Sequence, residues 1–422
     1  MSQTSLYKKI TGHKKFIYSL ADQFFVVGIT LIVNIMLARM LSKQDYGAFV
    51  LSYSIFTFML GIYNGLILEA YTVFSNGKYK DKLPEYINFM FMRQALLASL
   101  MAAGLLIIIT IISNVDGKFH NDYFIGVSIA IPILFSAQFI RRTYYTQELN
   151  LYALRQSMLA FIISTTLLYV LYATNSLNGL TIFIAITAGN SFAISSFIFN
   201  LLKQDVGNDF FLKNREYNTQ HYNFSKWVLL TGFVFQLSNQ GYIWLAAAIL
   251  DMESLAIIKT GQLISAPLEQ IFIVIFMINL PKLSALFNQE KYSEYRKLLQ
   301  MMLVTVLIVG AFFLVIILMA SKGILSVIFG LEYKNDEWIL FYLIISTILN
   351  GAAGCFNLAL KSIEKSKSIF IAYAVTALTT VSVGIPLVYA LKLYGVALGI
   401  ILSSIIHAAA MFVQFNLKER KL

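Results

Sequence analysis

The sequence has 422 residues, of which 58% are hydrophobic, 14% aromatic and only 13% charged. Soluble domains are roughly 45–50% apolar and about 25% charged, so 32 Lys and Arg with 21 Asp and Glu are too few to cover a soluble protein of this length. The net charge of +11 would suggest nucleic-acid binding in a soluble chain, but this composition indicates an integral membrane protein. We therefore expect no nucleic-acid partner.

Twelve predominantly apolar stretches follow one another along the chain, each long enough to span a bilayer as a helix. The first begins at Phe16 and exceeds the about 7–15 residues of a cleavable signal core, so we expect it to be retained. The predicted spans are residues 16–38, 46–74, 87–112, 123–140, 154–173 and 177–202 in the first half, and 227–250, 255–281, 299–320, 338–360, 369–391 and 394–416 in the second.

Basic residues are distributed unevenly between the two sides of these spans. With the N-terminus in the cytoplasm, 24 of the 32 Lys and Arg residues lie on the cytoplasmic side and 6 on the opposite side. Cytoplasmic loops retain positive charge in membrane proteins. The distribution therefore predicts cytoplasmic N- and C-termini.

The segments between spans are short, and the longest covers only residues 203–226. They leave no room for an extramembrane catalytic domain. A single cysteine, Cys355, excludes an intrachain disulfide, and neither an HExxH pair nor a GxxxxGK[ST] phosphate-binding loop occurs. We expect no enzyme activity, no catalytic residues, no cofactor and no metal site.

Short motifs recur in the same order in the two halves. Residues 41–48 and 250–257 open spans two and eight at an offset of 209, and later matches are offset by 213 and 216. A repeat with an even number of spans enters the membrane from the same side each time, and transporters built in this way bind substrate between the halves. We predict an all-α polytopic membrane protein with two six-helix lobes, residues 1–210 and 211–422, related by a pseudo-two-fold axis along the membrane normal.

The junction of spans one and two resembles a known family. Asn34, Ala38-Arg39-x-Leu41-Ser42 and Tyr46-Gly47-x-Phe49 are similar to the Wzx-type polysaccharide-transport flippases of the multidrug/oligosaccharidyl-lipid/polysaccharide exporter superfamily. The counterpart at 250–257 lacks the Arg and the Tyr-Gly pair.

The resemblance implies a flippase of the bacterial inner membrane that moves undecaprenyl-pyrophosphate-linked oligosaccharide, such as an O-antigen repeat unit, by alternating access. It also implies membrane lipid, a polysaccharide polymerase and a chain-length regulator as partners. No family motif assigns sugar-binding residues to positions of this chain.

Ionisable side chains within spans are costly and are therefore candidates for function. On span eight, Lys259, Gln262 and Glu269 are spaced by three and seven residues and share one helix face, which we expect to line a cavity. Glu269 is a candidate for proton or ion coupling, and Lys259 for binding phosphate or sugar, although a lysine near a span end also reaches the interface by snorkelling.

Two further faces are candidates for substrate binding. Asn64 and Glu69 belong to a stripe of small polar residues on span two, and Glu69 is also a candidate for ion coupling. On span seven, a face of amides and one aromatic ring suits sugar hydroxyls and ring C–H groups, although amides also hold helices together. It comprises Gln236, Asn239, Gln240 and Trp244.

Two charged residues lie near the cytoplasmic ends of spans. Arg93 on span three is positioned to contact a lipid pyrophosphate or to snorkel to the headgroups. Asp22 on span one is a further ion-coupling candidate, and we expect Arg93 or a loop lysine as its partner.

Two alternatives to a flippase remain open at this point. One is a multidrug/cation antiporter of the same superfamily. The other is an integral-membrane polysaccharide enzyme, such as a polymerase or acyltransferase, which would require a paired His or carboxylate site and a longer external loop. The sequence shows neither of these two features.

Overall fold

The computed structural model describes residues 3–76, 79–115, 121–202 and 210–419. Within these ranges the chain is helical and contains no β-strand. The α-helices are α1 (Gln3–Met40), α2 (Lys43–Tyr63), α3 (Glu69–Asn76), α4 (Leu83–Val115), α5 (Asn121–Thr146), α6 (Asn150–Ala173), α7 (Gly179–Leu202), α8 (Phe210–Ile249), α9 (Met252–Asn288), α10 (Tyr292–Phe329), α11 (Trp338–Ser362), α12 (Ser366–Ser382) and α13 (Gly384–Glu419).

Ten helices of the described ranges are long and apolar enough to cross a membrane, which confirms a multi-pass membrane protein. Two shorter apolar helices, Gln240–Ile249 and Lys367–Ser382, lie at the predicted seventh and eleventh spans. The predicted count of twelve membrane spans therefore remains a prediction.

The predicted eleventh span, residues 369–391, is not one continuous helix. Helix α12 ends at Ser382 and α13 begins at Gly384. Pro386 lacks the backbone N–H that would bond the carbonyl of Ser382, so it favours a helix start rather than a helix interior. A second irregularity follows at Lys392, which has non-helical backbone angles within α13.

The described chain divides into two compact units. Unit 1 comprises Met1–Asn34 and Ser52–Gly232, and unit 2 comprises Ile35–Leu51 and Phe233–Leu422. The predicted division into lobes at residue 210 stays a prediction. It places Ile35–Leu51 in the first lobe, whereas clustering of the structure groups this segment with unit 2.

Each unit has the same order of helix packing. In unit 1, α5 packs against α4 and α7, and α7 packs against α6. In unit 2, α11 packs against α10 and α13, and α13 packs against α12, while α9 also lies on α11. The recurring order is the one expected if the two halves of the chain repeat the same arrangement of spans.

Helices α2 and α9 begin in equivalent ways, as the repeat predicts. The Ser42 hydroxyl accepts a hydrogen bond from the Asp45 backbone N–H at 3.1 Å and donates one to the Asp45 carboxylate at 2.7 Å. Asp251 caps α9 by accepting from the Ser254 N–H at 2.8 Å. These side chains satisfy backbone N–H groups that the first helical turn leaves unpaired.

Candidate functional site

A cavity of about 350 Å³ with many polar lining residues lies within unit 2 and is lined by residues of α8, α9, α11, α12 and α13. We call it the chamber. Its volume is at the lower end of the roughly 300–1,000 Å³ typical of small-molecule sites. The described polar residues that line it are Tyr242, Gln262, Ser265, Glu269, Ser346, Thr347, Asn350, Asn357, Tyr373, Thr376, Ser403, Ser404 and His407.

Helix α9 contributes two of the three residues predicted on its polar face. Gln262 and Glu269 line the chamber, whereas Lys259 is not among its lining residues. Lys259 is half-buried and makes no hydrogen bond or ion pair with a described residue. Helix α9 runs without a break through Pro267, and Glu269 is accessible from the chamber.

Helix α11 contributes Asn350 and Asn357, which the sequence analysis did not identify. The two asparagines are seven residues apart and therefore lie on one face, about 10 Å apart along the helix axis. Ser346 lies on the same face, four residues before Asn350. Polar residues spaced by four and seven positions in an apolar span are a sequence signal that could have identified both asparagines.

Two pairs of hydroxyl groups in the chamber wall join neighbouring helices. Ser346 and Ser404 are 2.7 Å apart, and Tyr242 and Ser403 are 2.9 Å apart. Hydrogen bonds between neighbouring helices hold side chains in fixed positions in membrane proteins. The wall is therefore preorganised by α8, α11 and α13.

Five polar groups of the chamber have no hydrogen-bond partner among the described residues. They are the Gln262 side-chain amide, the Glu269 carboxylate, Asn350 Oδ1, Asn357 Oδ1 and His407 Nε2. The other ends of two of these side chains are held, because Asn357 Nδ2 donates to the Tyr373 hydroxyl at 3.2 Å and His407 Nδ1 lies 3.0 Å from the Thr376 hydroxyl. The chamber thus contains oriented donors and acceptors that no described residue pairs, and the exposed Glu269 carboxylate is accessible to a ligand.

Helix α8 faces the chamber with residues other than the predicted amide face. Phe235 and Tyr242 are its described lining residues, whereas Gln236, Gln240 and Trp244 are not among them. The side chain of Asn239 lies outside the described residues. Residues at i and i+1 lie about 100° apart around a helix, so Phe235 lies on a different face of α8 from the adjacent Gln236.

Asp22 lies in a closed network of unit 1, and its partner is Arg141 rather than Arg93. Its buried carboxylate accepts from Arg141 Nε at 3.0 Å, from Arg141 Nη2 at 2.6 Å and from the Ser157 hydroxyl at 2.5 Å. The Tyr145 hydroxyl also donates to it. Three of these hydrogen bonds reach Oδ2 and one reaches Oδ1, so both carboxylate oxygens are held by donors of the same unit.

Arg93 lies elsewhere in unit 1, near a histidine that the sequence analysis left unassigned. Arg93 Nη1 is buried and has no hydrogen-bond partner among the described residues. Nearby, His221 Nε2 lies 2.8 Å from the Tyr86 hydroxyl, and the imidazole is fully buried. His221 precedes the predicted seventh span, and its burial, with the positive charge of Arg93, lowers the pKa of His221 to about 3.

Asn64 and Glu69 lie at a local change of helix geometry. The chain between α2 and α3 forms a π-helical turn, Asn64–Leu68, and the Glu69 backbone N–H donates to the Asn64 carbonyl. Neither side chain has a hydrogen-bond partner among the described residues. Such turns are rare and often occur at functional sites, so both residues remain candidates.

The family-like block around Arg39 stabilises helix ends. Arg39 Nε donates to the Ile328 carbonyl at 2.7 Å, and Arg39 Nη2 donates to the Val327 carbonyl. These carbonyls belong to the last turn of α10, where backbone acceptors lack helical partners. Gly47 lies against the start of α9, where a Cβ would collide with the Met252 carbonyl.

The chain matches one family model. Residues 36–337 match the family described as polysaccharide biosynthesis protein. No curated protein matches the chain significantly.

Solved structures with a similar fold include a lipid II flippase and MATE transporters. A lipid II flippase MurJ in an inward closed conformation is 16% identical with a TM-score of 0.77, covering 96% of this chain and 87% of that one. An inward-facing multidrug resistance MATE family transporter of the MOP superfamily is 14% identical with a TM-score of 0.71, covering 95% and 97%. The Vibrio cholerae MATE transporter VcmN is 14% identical with a TM-score of 0.67, covering 99% and 98%.

Proposed function

Because the chain belongs to the polysaccharide biosynthesis protein family, we propose that it is a flippase for undecaprenyl-pyrophosphate-linked oligosaccharide, such as an O-antigen repeat unit. The observation that supports this proposal most strongly is the chamber, with unpaired Gln262, Glu269, Asn357 and His407 groups inside a membrane protein. The similarity of the fold to a lipid II flippase agrees with a lipid-linked substrate.

The physical reason is the cost of polar groups in hydrocarbon. Each ionisable side chain at the centre of a membrane helix costs about 2.5 kcal/mol or more unless it is hydrated or paired. A chain that accommodates an unpaired carboxylate and amides within a span therefore encloses a hydrated path. An oligosaccharide head needs such a path, whereas its lipid tail can remain in the bilayer.

Of the three ion-coupling candidates, we propose Glu269 or Glu69 rather than Asp22 as the residue that binds the coupling ion. The carboxylates of Glu269 and Glu69 are accessible and have no hydrogen-bond donor among the described residues. The Asp22 carboxylate already accepts four hydrogen bonds, so an incoming proton or cation would have to displace them.

The function is tested by export in a strain that lacks the gene. Deletion should abolish surface polysaccharide and leave the lipid-linked repeat unit on the inner leaflet, and the wild-type gene should restore export. Normal surface glycan in the deletion strain would contradict the flippase proposal. Export of drugs or cations with normal glycan would instead favour the antiporter alternative.

Residues of the chamber are tested in the same strain. Glu269→Gln and Asn357→Leu should reduce export at normal protein level, because the first removes the accessible carboxylate of the chamber and the second removes an unpaired polar atom from its wall. Glu253→Gln is the matched control, since this exposed carboxylate on the same helix does not line the chamber. Wild-type export by both chamber variants would show that the chamber is not used.

The proposed location is the bacterial inner membrane with cytoplasmic termini, where a polysaccharide polymerase and a chain-length regulator would use the product. Reporter fusions after Lys80 and Lys365 should both report the cytoplasm. A periplasmic signal at either position would contradict this orientation.

A further inference from the structure

We propose that the chamber of unit 2 is a sugar-binding subsite that accepts uncharged and amino sugars and excludes uronic acids. This inference rests on the flippase function proposed above and adds the class of sugar that the site selects. Three features of the chamber support it: the unpaired hydrogen-bonding groups, the aromatic lining residues and the net negative charge of the described lining residues.

The free groups match the hydroxyls of a sugar ring. The Glu269 carboxylate and Asn357 Oδ1 are acceptors, the Gln262 amide both donates and accepts, and His407 Nε2 does one or the other according to its tautomer. A sugar hydroxyl also donates and accepts, so a ring can satisfy several of these groups together. A ligand without hydroxyl or amide groups would displace water from these groups without replacing its hydrogen bonds, which is costly.

Aromatic rings provide the apolar part of the wall. Phe235 and Tyr242 on α8, Phe272 and Phe276 on α9, and Tyr373 on α12 line the chamber. Two of these rings are held by contacts with neighbours, since Phe235 meets Tyr373 edge to face at 5.3 Å and Tyr373 stacks on His407 at 4.8 Å. Fixed aromatic faces suit the C–H surface of a pyranose ring.

The volume of about 350 Å³ limits the ligand to a small unit. A whole repeat unit with its pyrophosphate is too large for a cavity at the lower end of the ligand-site range. The chamber therefore holds one sugar residue of the oligosaccharide, while the remainder lies outside it.

The charge of the wall determines which sugars can enter. Among the described lining residues, Glu269 is the only acidic one and none is Lys or Arg. Lys259, ten residues earlier on α9, interacts with Glu269 electrostatically but does not reach the wall. A uronic acid would bring a second carboxylate beside Glu269 without a cation to pair it, whereas an amino sugar would bring that cation.

A bound metal cation fits the chamber less well than a sugar. Hard cations require several oxygen ligands converging at about 2.0–2.6 Å, and no group of three or more His, Cys, Asp or Glu side chains is present among the described residues. The chamber is also wider than a cation site and has aromatic walls.

Binding can be measured on the purified full-length protein by saturation-transfer difference NMR with N-acetylglucosamine, glucosamine and glucuronic acid at equal millimolar concentration and pH 7. We expect signals from the first two sugars at least about fivefold stronger than from glucuronic acid, as a like-charge penalty of about 1 kcal/mol would produce. Glu269→Gln should raise the glucuronic acid signal to that of N-acetylglucosamine. Asn357→Leu should weaken all three signals.

Glu253→Gln is the control and should leave the pattern unchanged. A gel-filtration profile identical to that of the wild type excludes misfolding of the variants. The proposal is overturned if no sugar binds, if glucuronic acid binds the wild-type protein as strongly as N-acetylglucosamine, or if Glu269→Gln leaves the selectivity unchanged.

Failure of this inference differs from failure of the proposed function. If the gene restores export but no sugar binds in the chamber, the flippase proposal stands and the subsite is wrong. If sugars bind with the expected selectivity but deletion leaves surface glycan normal, the subsite stands and the flippase proposal is wrong.

Discussion

Replacing Asp22 by alanine should strongly destabilise unit 1 if this residue is structural. The carboxylate is fully buried and accepts hydrogen bonds from two Arg141 nitrogens, from Ser157 and from Tyr145. Its removal leaves the Arg141 guanidinium, whose side chain is only 18% exposed, without its counterion.

The magnitude follows from these contacts. Removing one partner of a buried ion pair costs about 3–5 kcal/mol, and the orphaned Ser157 and Tyr145 hydroxyls add to that cost. We therefore expect Asp22→Ala to lower the free energy of unfolding by about 5 kcal/mol. Asp22→Asn should cost less, because an amide oxygen still accepts from two of the donors.

The assay is denaturant or thermal unfolding of the purified protein in detergent, with a double-mutant cycle. Because Asp22 and Arg141 contact each other, the double variant Asp22→Ala/Arg141→Ala should be less destabilised than the sum of the single variants, by about 1–3 kcal/mol. Asp81→Ala, at an exposed acidic residue, is the control and should leave stability within about 0.5 kcal/mol of the wild type.

A role for Asp22 in ion coupling predicts a different result. Asp22→Asn would then keep wild-type stability while the ion dependence of export is lost. That pair of observations, or additive single and double variants, would refute the structural assignment.

Three further predictions concern positions outside the chamber. Arg39→Ala should destabilise the protein by about 0.5–1.5 kcal/mol in the same unfolding assay, because the Val327 and Ile328 carbonyls lose an exposed charged donor, and Arg39→Lys should recover only part of this. Gly47→Ala should cost at least about 1–3 kcal/mol, since its Cβ meets the Met252 carbonyl, and an unchanged unfolding midpoint would contradict the close approach. For His221, the folded pKa of about 3 lies below the unfolded value of about 6.5, so the unfolded state binds the proton first and stability falls as pH decreases below 6.5. At pH 5 the resulting loss of unfolding free energy is about 2 kcal/mol. This loss should be absent in His221→Gln. Equal dependence of stability on pH in the two proteins would contradict the prediction.

Much of the fold could be predicted from the sequence because its signals are local. Transfer of an apolar stretch into lipid is favourable residue by residue, so hydropathy locates helices without knowledge of their neighbours. Helix starts are similarly local, and Ser42 and Asp251 cap their helices where the 209-residue offset places them. The interruption of the predicted eleventh span at Val383 follows from Pro386, a local signal that hydropathy alone does not register.

The candidate site was predicted only in part, because its members come from different helices. Gln262 and Glu269 share a cavity as their spacing on one helix predicts, whereas Asn357, Tyr373 and His407 join them only through the packing of α11, α12 and α13. Phe235 and Tyr242 face the chamber because of the orientation of α8 about its own axis. This orientation depends on the contacts of the whole helix and cannot be calculated from the sequence of α8 alone.

The sequence by itself thus determined that this is a helical membrane protein with a repeated arrangement of spans, and identified the charged residues that need an explanation. Only the tertiary structure decided how each charge is accommodated: Asp22 pairs with Arg141, 119 positions away, while Glu269 faces a polar chamber. The physical reason is that the cost of a buried charge is set by the atoms within a few ångströms of it, and helix packing brings those atoms from distant parts of the chain.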